Sequence, residues 1–431
     1  MPAPRNTLRP PAPRTPIRLV EFTRAFYLGG TEVQILELLR GLGSSYRVSV
    51  GLLDLKGPLL GEVERLGYVL NAFPLGGRFA RPTTLLQIAR LAAWLRSERT
   101  ELVHVHDYTA TLLAVPAAKL AGCKVVVGRL DLAHWHSPGQ RLLLQRMTRL
   151  ADHVVANADV IRDLLVEGEG IPSERVSVVR NGLDLPRFDA RRCEGLKAPL
   201  PDTGGLPVVI HVANMNHVVK RHEDLLQALA QVNRHGVRLH AFLIGDGPRR
   251  RELERLARAL GVREQAHFLG HRTDVPAVYA RGTLGVLCST HEGLSNAIME
   301  GMAAGLPMVV THAGGNPELV KHEEHGLVVP VEAPMTLAAV FDRLLADPVR
   351  AREMGQRGRA FVEQELSLQR MVATHDAVYR HVARGEPLRL PVANPPLHQA
   401  PAPLVQTPSR LPLTPRELWA PLEGDGPGPL R

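Results

Sequence analysis

Two carboxylates eight positions apart, Glu292 and Glu300, bracket the run Glu292-Gly293-Leu294-Ser295-Asn296-Ala297-Ile298-Met299-Glu300, which follows closely on the apolar stretch Leu284 to Cys288. That stretch has the composition of a buried strand, and Ser295 or Asn296 is a residue type that caps the start of a helix. The sequence therefore predicts strand, loop and helix, with the amides of Gly293 to Asn296 directed out of the sheet. Free amides at the positive end of a helix dipole are a seat for phosphate. At 1.5 Å rise per helical residue the carboxyls lie roughly 10 Å apart, too wide for the nucleophile and acid of a retaining glycosidase. Binding hydroxyl groups suits them better. By itself, Glu300 would read as a solvated helix carboxylate.

Other candidates stand at predicted strand ends. Lys220 lies beyond Val208 to Val212 in a chain whose basic residues are mostly arginine, with Asn214 and Arg221 nearby. An ammonium there is a movable point charge for an anion, or simply a surface lysine. Leu28-Gly29-Gly30-Thr31-Glu32 follows the first apolar run and opens a helix. Gly29 and Gly30 would let the backbone approach a ligand, although any strand-to-helix turn can use glycine, and neither GxGxxG nor a P-loop lysine is present. His106 ends another run and suits a structural role or a cleft equally. Arg129, Asp131, His134 and His136 follow the run at Lys124 to Gly128, while His271 and Arg272 follow Gly270 and are candidates for contacting a nucleotide base.

Positioning these groups falls to a repeated pattern. Strands are predicted at 17–22, 47–52, 102–106, 124–128, 153–156 and 176–179, and again at 208–212, 239–244, 266–269, 284–288, 308–311 and 326–329, with amphipathic segments between them. This is the pattern of α/β domains with parallel sheets. We divide the chain into an N-terminal tail (1–16), a Rossmann-like domain (17–183), a linker without periodicity (184–206), a second Rossmann-like domain (207–384) whose last helix is expected to pack back on the first, and a tail (385–431). The two tails hold about half of the 35 prolines, and we read them as disordered, the second as a spacer. Two doubly wound domains facing across a cleft would gather the strand ends around one ligand.

Composition removes several classes. With 45% hydrophobic and 22% charged residues the chain is ordinarily globular, and it has neither a membrane-spanning run nor a signal peptide, so a cytoplasmic location is expected. Cys123, Cys193 and Cys288 have no CxxC spacing, so neither a disulfide framework nor a zinc site is expected. The net charge of +9 suits a phosphate-rich ligand, an anionic membrane or a nucleic acid, but with 4% aromatic residues and no finger or stacking motif, nucleic acid is not expected. The segment Gln140 to Leu150 is basic and amphipathic. It could rest peripherally on the inner face of a membrane or pack as an ordinary surface helix.

Along nearly all of residues 17 to 384 the sequence resembles the family 4 retaining glycosyltransferases of the GT-B fold. The run EGLSNAIME matches their E-x7-E signature. Phe268-Leu269-Gly270, Gly301 to Pro307, Gly314-Gly315-Asn316-Pro317-Glu318 and His325 to Pro330 stand around it in the family's order, and Gly245 to Pro248 and Asn181 to Asp184 also match. The resemblance implies that Glu300 holds the ribose hydroxyls of a nucleotide, that Glu292 meets the donor sugar, and that the amides of Leu294, Ser295 and Asn296 face the diphosphate. It makes Lys220 the cation that neutralises the leaving phosphate. It further implies transfer from a nucleotide-diphosphate sugar to an acceptor hydroxyl of a glycan or lipid-linked molecule, in polysaccharide, lipid-linked oligosaccharide or glycolipid assembly, with retention. Neither metal nor other cofactor is expected, since no Asp-x-Asp pair occurs. Two positions depart from the family. Asn214 stands where an arginine often accompanies the lysine, leaving Arg221 to compensate, and Leu130 stands where a histidine often meets the donor sugar. These departures keep two alternatives in view: a nucleotide-sugar epimerase or hydrolase of the same fold, and a non-catalytic nucleotide-sugar-binding scaffold.

Overall fold

The computed structural model describes residues 15–75 and 82–391. Both tails therefore lie outside the described residues, apart from 15–16 and 385–391.

The strands form two all-parallel sheets. β1 (Ile17–Thr23), β2 (Tyr46–Leu52), β3 (Leu70–Ala72), β4 (Leu102–Val105), β5 (Lys124–Arg129), β6 (His153–Ala156) and β7 (Val176–Val178) build the first, in the order β3-β2-β1-β4-β5-β6-β7. β8 (Val208–Val212), β9 (His240–Ile244), β10 (Ala266–Gly270), β11 (Leu284–Leu287), β12 (Met308–Thr311) and β13 (Gly326–Val329) build the second, in the order β10-β9-β8-β11-β12-β13. In each sheet the order reverses beside the opening strand, β1 or β8, and such a reversal opens a crevice at the carboxyl ends of the strands. Central strands such as β4, β11 and β12 are buried along their whole length, which is why they appear in the sequence as unbroken apolar runs. β3 has no such run to announce it: three half-buried residues at the sheet edge.

Two segments join the domains. The linker expected to lack structure contains a helix, Leu185–Cys193. Asp184 caps it by accepting from the Arg187 amide at 3.1 Å, Pro186 sits in its first turn, and Leu185 and Phe188 enter an apolar cluster shared with Ile210 and Tyr279. Nine residues are too few for a clear period, but aspartate with proline two positions on is a helix-start signal. At the other end of the chain, the Leu368–Arg384 helix packs against β4, β5 and the Gly30–Gly41 helix of the first domain. There Tyr46 donates to Asp376 at 2.6 Å, and Tyr379 donates to the buried Glu21 of β1 at 2.8 Å.

No helix among the described residues is long and apolar enough to cross a membrane. The basic amphipathic helix Pro138–Leu150 buries only Leu144 and Thr148 and leaves Leu142, Leu143 and Leu150 exposed beside Arg146 and Arg149.

Candidate functional site

β11 runs into the loop Thr290 to Ser295 and then into the Asn296–Ala303 helix, which Ile298, Met299 and Met302 anchor in the core. Removing one such side chain costs about 2–5 kcal/mol. Ser295 occupies the N-cap but makes no cap hydrogen bond, so no side chain closes over the first turn. The loop is seated from behind. Gly314 has φ +50°, and a Cβ there would fall 1.8 Å from the carbonyl oxygen of Glu292, so only glycine allows this approach. The Gly315 amide donates to Gly293 at 3.1 Å, and the Thr290 amide donates to Val219 at 2.9 Å. Through that last bond the Thr290 to Ser295 loop is tied to the turn that carries Lys220.

Lys220 Nζ reaches Glu292 Oε1 at 2.5 Å, with both side chains largely shielded from solvent. Eight residues on, the Glu300 carboxyl is pushed up to about 7 by burial, against the weak pull of Arg191. A carboxyl poised near neutrality in a cleft is a common mark of a functional group. The structure therefore gathers Lys220, Glu292, Glu300 and the amides of Leu294 to Asn296 at one end of the second sheet.

The first domain supplies the facing wall. The Gly29-Gly30 turn opens the Gly30–Gly41 helix, and the Asn296 side chain donates to the Gly30 carbonyl at 3.1 Å. Gly293 packs on the loop after β5, where a Cβ would fall 2.2 Å from the Leu130 carbonyl. Beside this contact a cavity of about 280 Å³ opens in the first domain, lined by Arg24, Tyr27, Glu32, Asp107, Tyr108 and Asp131 among others. Burial holds the carboxyls of Glu32 and Asp107 above their ordinary range. A larger groove, of about 410 Å³, lies at the amino-terminal end of the strands of that sheet beside Tyr46, and its one carboxylate, Asp376, is already bonded by Tyr46 and Arg380.

The remaining candidates divide by what holds them. Arg129 is locked in a buried bidentate pair with Glu169 at 2.8 and 3.0 Å, so its guanidinium is committed to structure. Arg221 is turned to Asp224 at 2.8 Å and Glu332 at 3.3 Å, and it does not stand in for the arginine that Asn214 replaces. Arg272 grips Asp274 and the Ala198 carbonyl of the linker, whereas His271 and Asn214 are exposed. Asp131 turns its own loop, accepting from the Ala133 amide at 2.7 Å, and remains at the cavity wall. His106 bonds the buried Glu21 at 2.5 Å. Glu21, His104 and His106 are close enough to share an ion, but the contacts among themselves and Tyr379 already use the carboxylate. His104 Nε2 has no partner, whereas a metal-bound histidine almost always donates its other ring nitrogen.

His134 was one of several candidates after β5, whereas His291, Trp135, His217 and Glu318 were not singled out as site residues. His134 stacks on His291 of the Thr290 to Ser295 loop, with ring centroids 4.5 Å apart, and Trp135 lies 4.9 Å from His217. Both His134 ring nitrogens are buried without a hydrogen-bond partner. Burial, with His291 and Lys220 close by, pushes its pKa down to about 3, so the ring is neutral. Glu318, within the Gly314 to Glu318 motif, crosses to the first domain and accepts from the amides of Asp159 and Val160 at 2.8 and 2.9 Å. Its motif marked it, but nothing in a linear sequence gives the helix end it would cap.

Comparison with known proteins bears on the family and the fold. A family model described as Glycosyltransferase Family 4 matches residues 28–187, and one described as Glycosyl transferases group 1 matches residues 206–347. The chain is 26% identical over 313 residues to the N-acetyl-alpha-D-glucosaminyl L-malate synthase of Bacillus anthracis, covering 71% of this chain and 81% of that one. It is 29% identical over 315 residues to a GDP-mannose-dependent alpha-(1-6)-phosphatidylinositol monomannoside mannosyltransferase of Mycobacterium tuberculosis, covering 69% and 79%. In three dimensions it is similar to Anabaena HepE crystallised with UDP and glucose, with a TM-score of 0.74 and 21% identity over 84% of this chain and 99% of that one. The two facing parallel sheets are the GT-B fold, and the chain belongs to the family 4 glycosyltransferases, enzymes that transfer a sugar from a nucleotide sugar.

Proposed function

We propose that the protein moves a sugar from a nucleoside diphosphate sugar to the hydroxyl of a glycan or lipid-linked acceptor, with retention and without a metal ion. The observation that carries this is the meeting of Lys220, Glu292 and the uncapped Asn296–Ala303 helix at one strand end, opposite the cavity of the first domain. The helix amides and Lys220 take the diphosphate, Glu300 takes the ribose, and Glu292 takes sugar hydroxyls. The bond from the anomeric carbon to the leaving phosphate oxygen breaks as the acceptor oxygen bonds to the same face. The acceptor proton passes to the departing phosphate. Catalysis is then positioning plus stabilisation of leaving-group charge, which protein dipoles and one ammonium can supply. Incubation with a labelled donor and an acceptor pool should give a labelled conjugate with the donor's anomeric configuration. Release of free sugar alone, or inversion, would sink this reading.

With Leu130 unable to bond a sugar hydroxyl and Arg129 held by Glu169, the loop offers Asp131, His134 and His136, and we assign the donor-sugar contact to His134, whose two ring nitrogens are buried without a partner. A neutral imidazole can both donate and accept. His134→Phe keeps the stack on His291 and removes both nitrogens. The donor KM should rise about tenfold, the value of one neutral hydrogen bond, with the Kd for the bare nucleotide unchanged. Equal weakening of nucleotide and nucleotide sugar would exclude the sugar contact.

A further inference from the structure

Three side-chain amides join the two domains immediately behind the phosphate seat. Asn296 Oδ1 accepts from Asn181 at 2.7 Å and from Gln34 at 3.1 Å, while its Nδ2 donates to the Gly30 carbonyl at 3.1 Å. Gln34 also donates to the Gly182 carbonyl at 3.2 Å and accepts from the Gly182 amide at 2.9 Å. Asn181 donates its second hydrogen to the Leu294 carbonyl at 3.0 Å. Gln34 and Asn181 are both buried.

The donor count leaves one arrangement. A carboxamide has two hydrogens to give and an oxygen with two lone pairs. Both hydrogens of Gln34 are spent on Gly182 and Asn296, both hydrogens of Asn181 on Leu294 and Asn296, and both lone pairs of Asn296 are filled. Turning over any one amide would set oxygen against oxygen, or nitrogen against nitrogen, in a buried site. A network whose bonds among Gln34, Asn181, Asn296 and the neighbouring backbone are all matched donor to acceptor is stiff and specific. It links three segments that meet nowhere else in the sequence: the Gly29-Gly30 turn, the end of the β7 segment, and the start of the Asn296–Ala303 helix.

We propose that Gln34, Asn181 and the Asn296 side chain are positioning residues for sugar transfer, fixing the spacing between the Gly29-Gly30 turn and the phosphate-facing helix amides without touching substrate. This rests on transfer occurring across the cleft. The Asn296 side chain thus does work separate from that of its backbone amide. A displacement near 1 Å between reacting groups can cost about a hundredfold in rate.

Gln34→Leu, which removes both donors and the acceptor, and Gln34→Glu, which keeps the acceptor for Gly182, test this in the full chain. Turnover should fall 30- to 100-fold in Gln34→Leu, with the donor KM and the Kd for UDP or GDP within threefold of wild type. In hydrogen exchange, the nucleotide should protect residues 28–34 as well as 293–297 in the wild type, and only 293–297 in Gln34→Leu. If wild type turned over no donor, transfer itself would be wrong, and the exchange result would still decide whether the junction couples the two walls. Turnover within threefold of wild type in both variants would overturn the proposal. So would a loss of nucleotide affinity equal to the loss of rate, or unfolding of both variants, since the junction would then build the phosphate seat or the core.

Discussion

Replacement of Lys220 by methionine is expected to lower kcat about a thousandfold, near the upper end of what one preorganised oxyanion donor supplies. The size follows from what surrounds it. The arginine that often accompanies this lysine in the family is Asn214 here, exposed at the end of β8, and Arg221 is held by Asp224 and Glu332. In the proposed reaction the departing phosphate is therefore neutralised by Lys220 and the helix amides together. Methionine keeps the stem and its packing but leaves Glu292 without its partner at 2.5 Å. The Kd for the nucleoside diphosphate should also rise, by about tenfold, as one charge-assisted bond is lost. Lys220→Arg should restore much of the affinity and little of the rate, because a planar fork cannot follow the phosphate as a compact ammonium does. Steady-state kinetics beside calorimetric titration of the nucleotide would check this. A methionine variant within tenfold of wild-type kcat would show that the leaving-group charge is met elsewhere.

Glu300→Gln should raise stability while weakening the substrate site. Burial moves the Glu300 carboxyl from its ordinary value of 4.5 to about 7. A carboxyl raised on folding is protonated in both states only below its unfolded value of 4.5, where it carries no penalty. From 4.5 up to about 7 the unfolded chain releases this proton while the folded chain holds it, so stability falls across that range and the loss is complete above 7. At 1.36 kcal/mol for each pH unit, discounted for the partial exposure of the residue, the penalty at pH 8 is about 2–3 kcal/mol. Glutamine does not ionise, so the variant should melt several degrees above wild type at pH 8 and level with it below pH 4.5. Ribose hydroxyls need an acceptor, so the wild type should bind a nucleotide sugar more tightly as pH rises from 6 to 8. The diphosphate of a nucleotide sugar is esterified at both ends and does not titrate in that range, which isolates Glu300. The variant should lack this pH dependence and bind about 10- to 100-fold more weakly at pH 8, as two hydrogen bonds to a charged acceptor would give. Melting curves and binding titrations at three pH values suffice. A pH-independent wild-type affinity would remove Glu300 from the ribose.

Lys220 and Glu300 each read alone as an ordinary surface charge and were marked by the resemblance to the family, but the elements that carry them are local. Strand, loop and helix around EGLSNAIME follow in one continuous stretch, so the strand burial already places Leu294 to Asn296 beyond a strand end. Lys220 follows β8 in the same way. Most central strands, being buried on both faces, write themselves into the sequence as apolar runs, and every candidate run corresponds to a strand within about two residues at either end.

Side-chain destinations were a different matter, because they depend on partners that only the folded chain brings near. Arg129, Asp131 and His134 lie in one short stretch of equal promise. Glu169, distant in sequence, takes the first, a turn of its own loop occupies the second, and the third is left in the cleft against His291. Asn296 has the composition of a helix cap and a phosphate contact. The fold instead carries its side chain across to Gln34 and Asn181, since a helix N-terminus facing another domain offers its polar side chains to that domain. The sequence by itself thus determined the two α/β domains and the strand-loop-helix segment that carries Glu292 and Glu300, all set by local periodicity, while the roles given to those carboxylates came from the resemblance to the family. Tertiary structure alone decided which polar groups face the cleft and which are spent on holding its walls together, because parallel strands and interdomain amides pair residues that no local pattern connects.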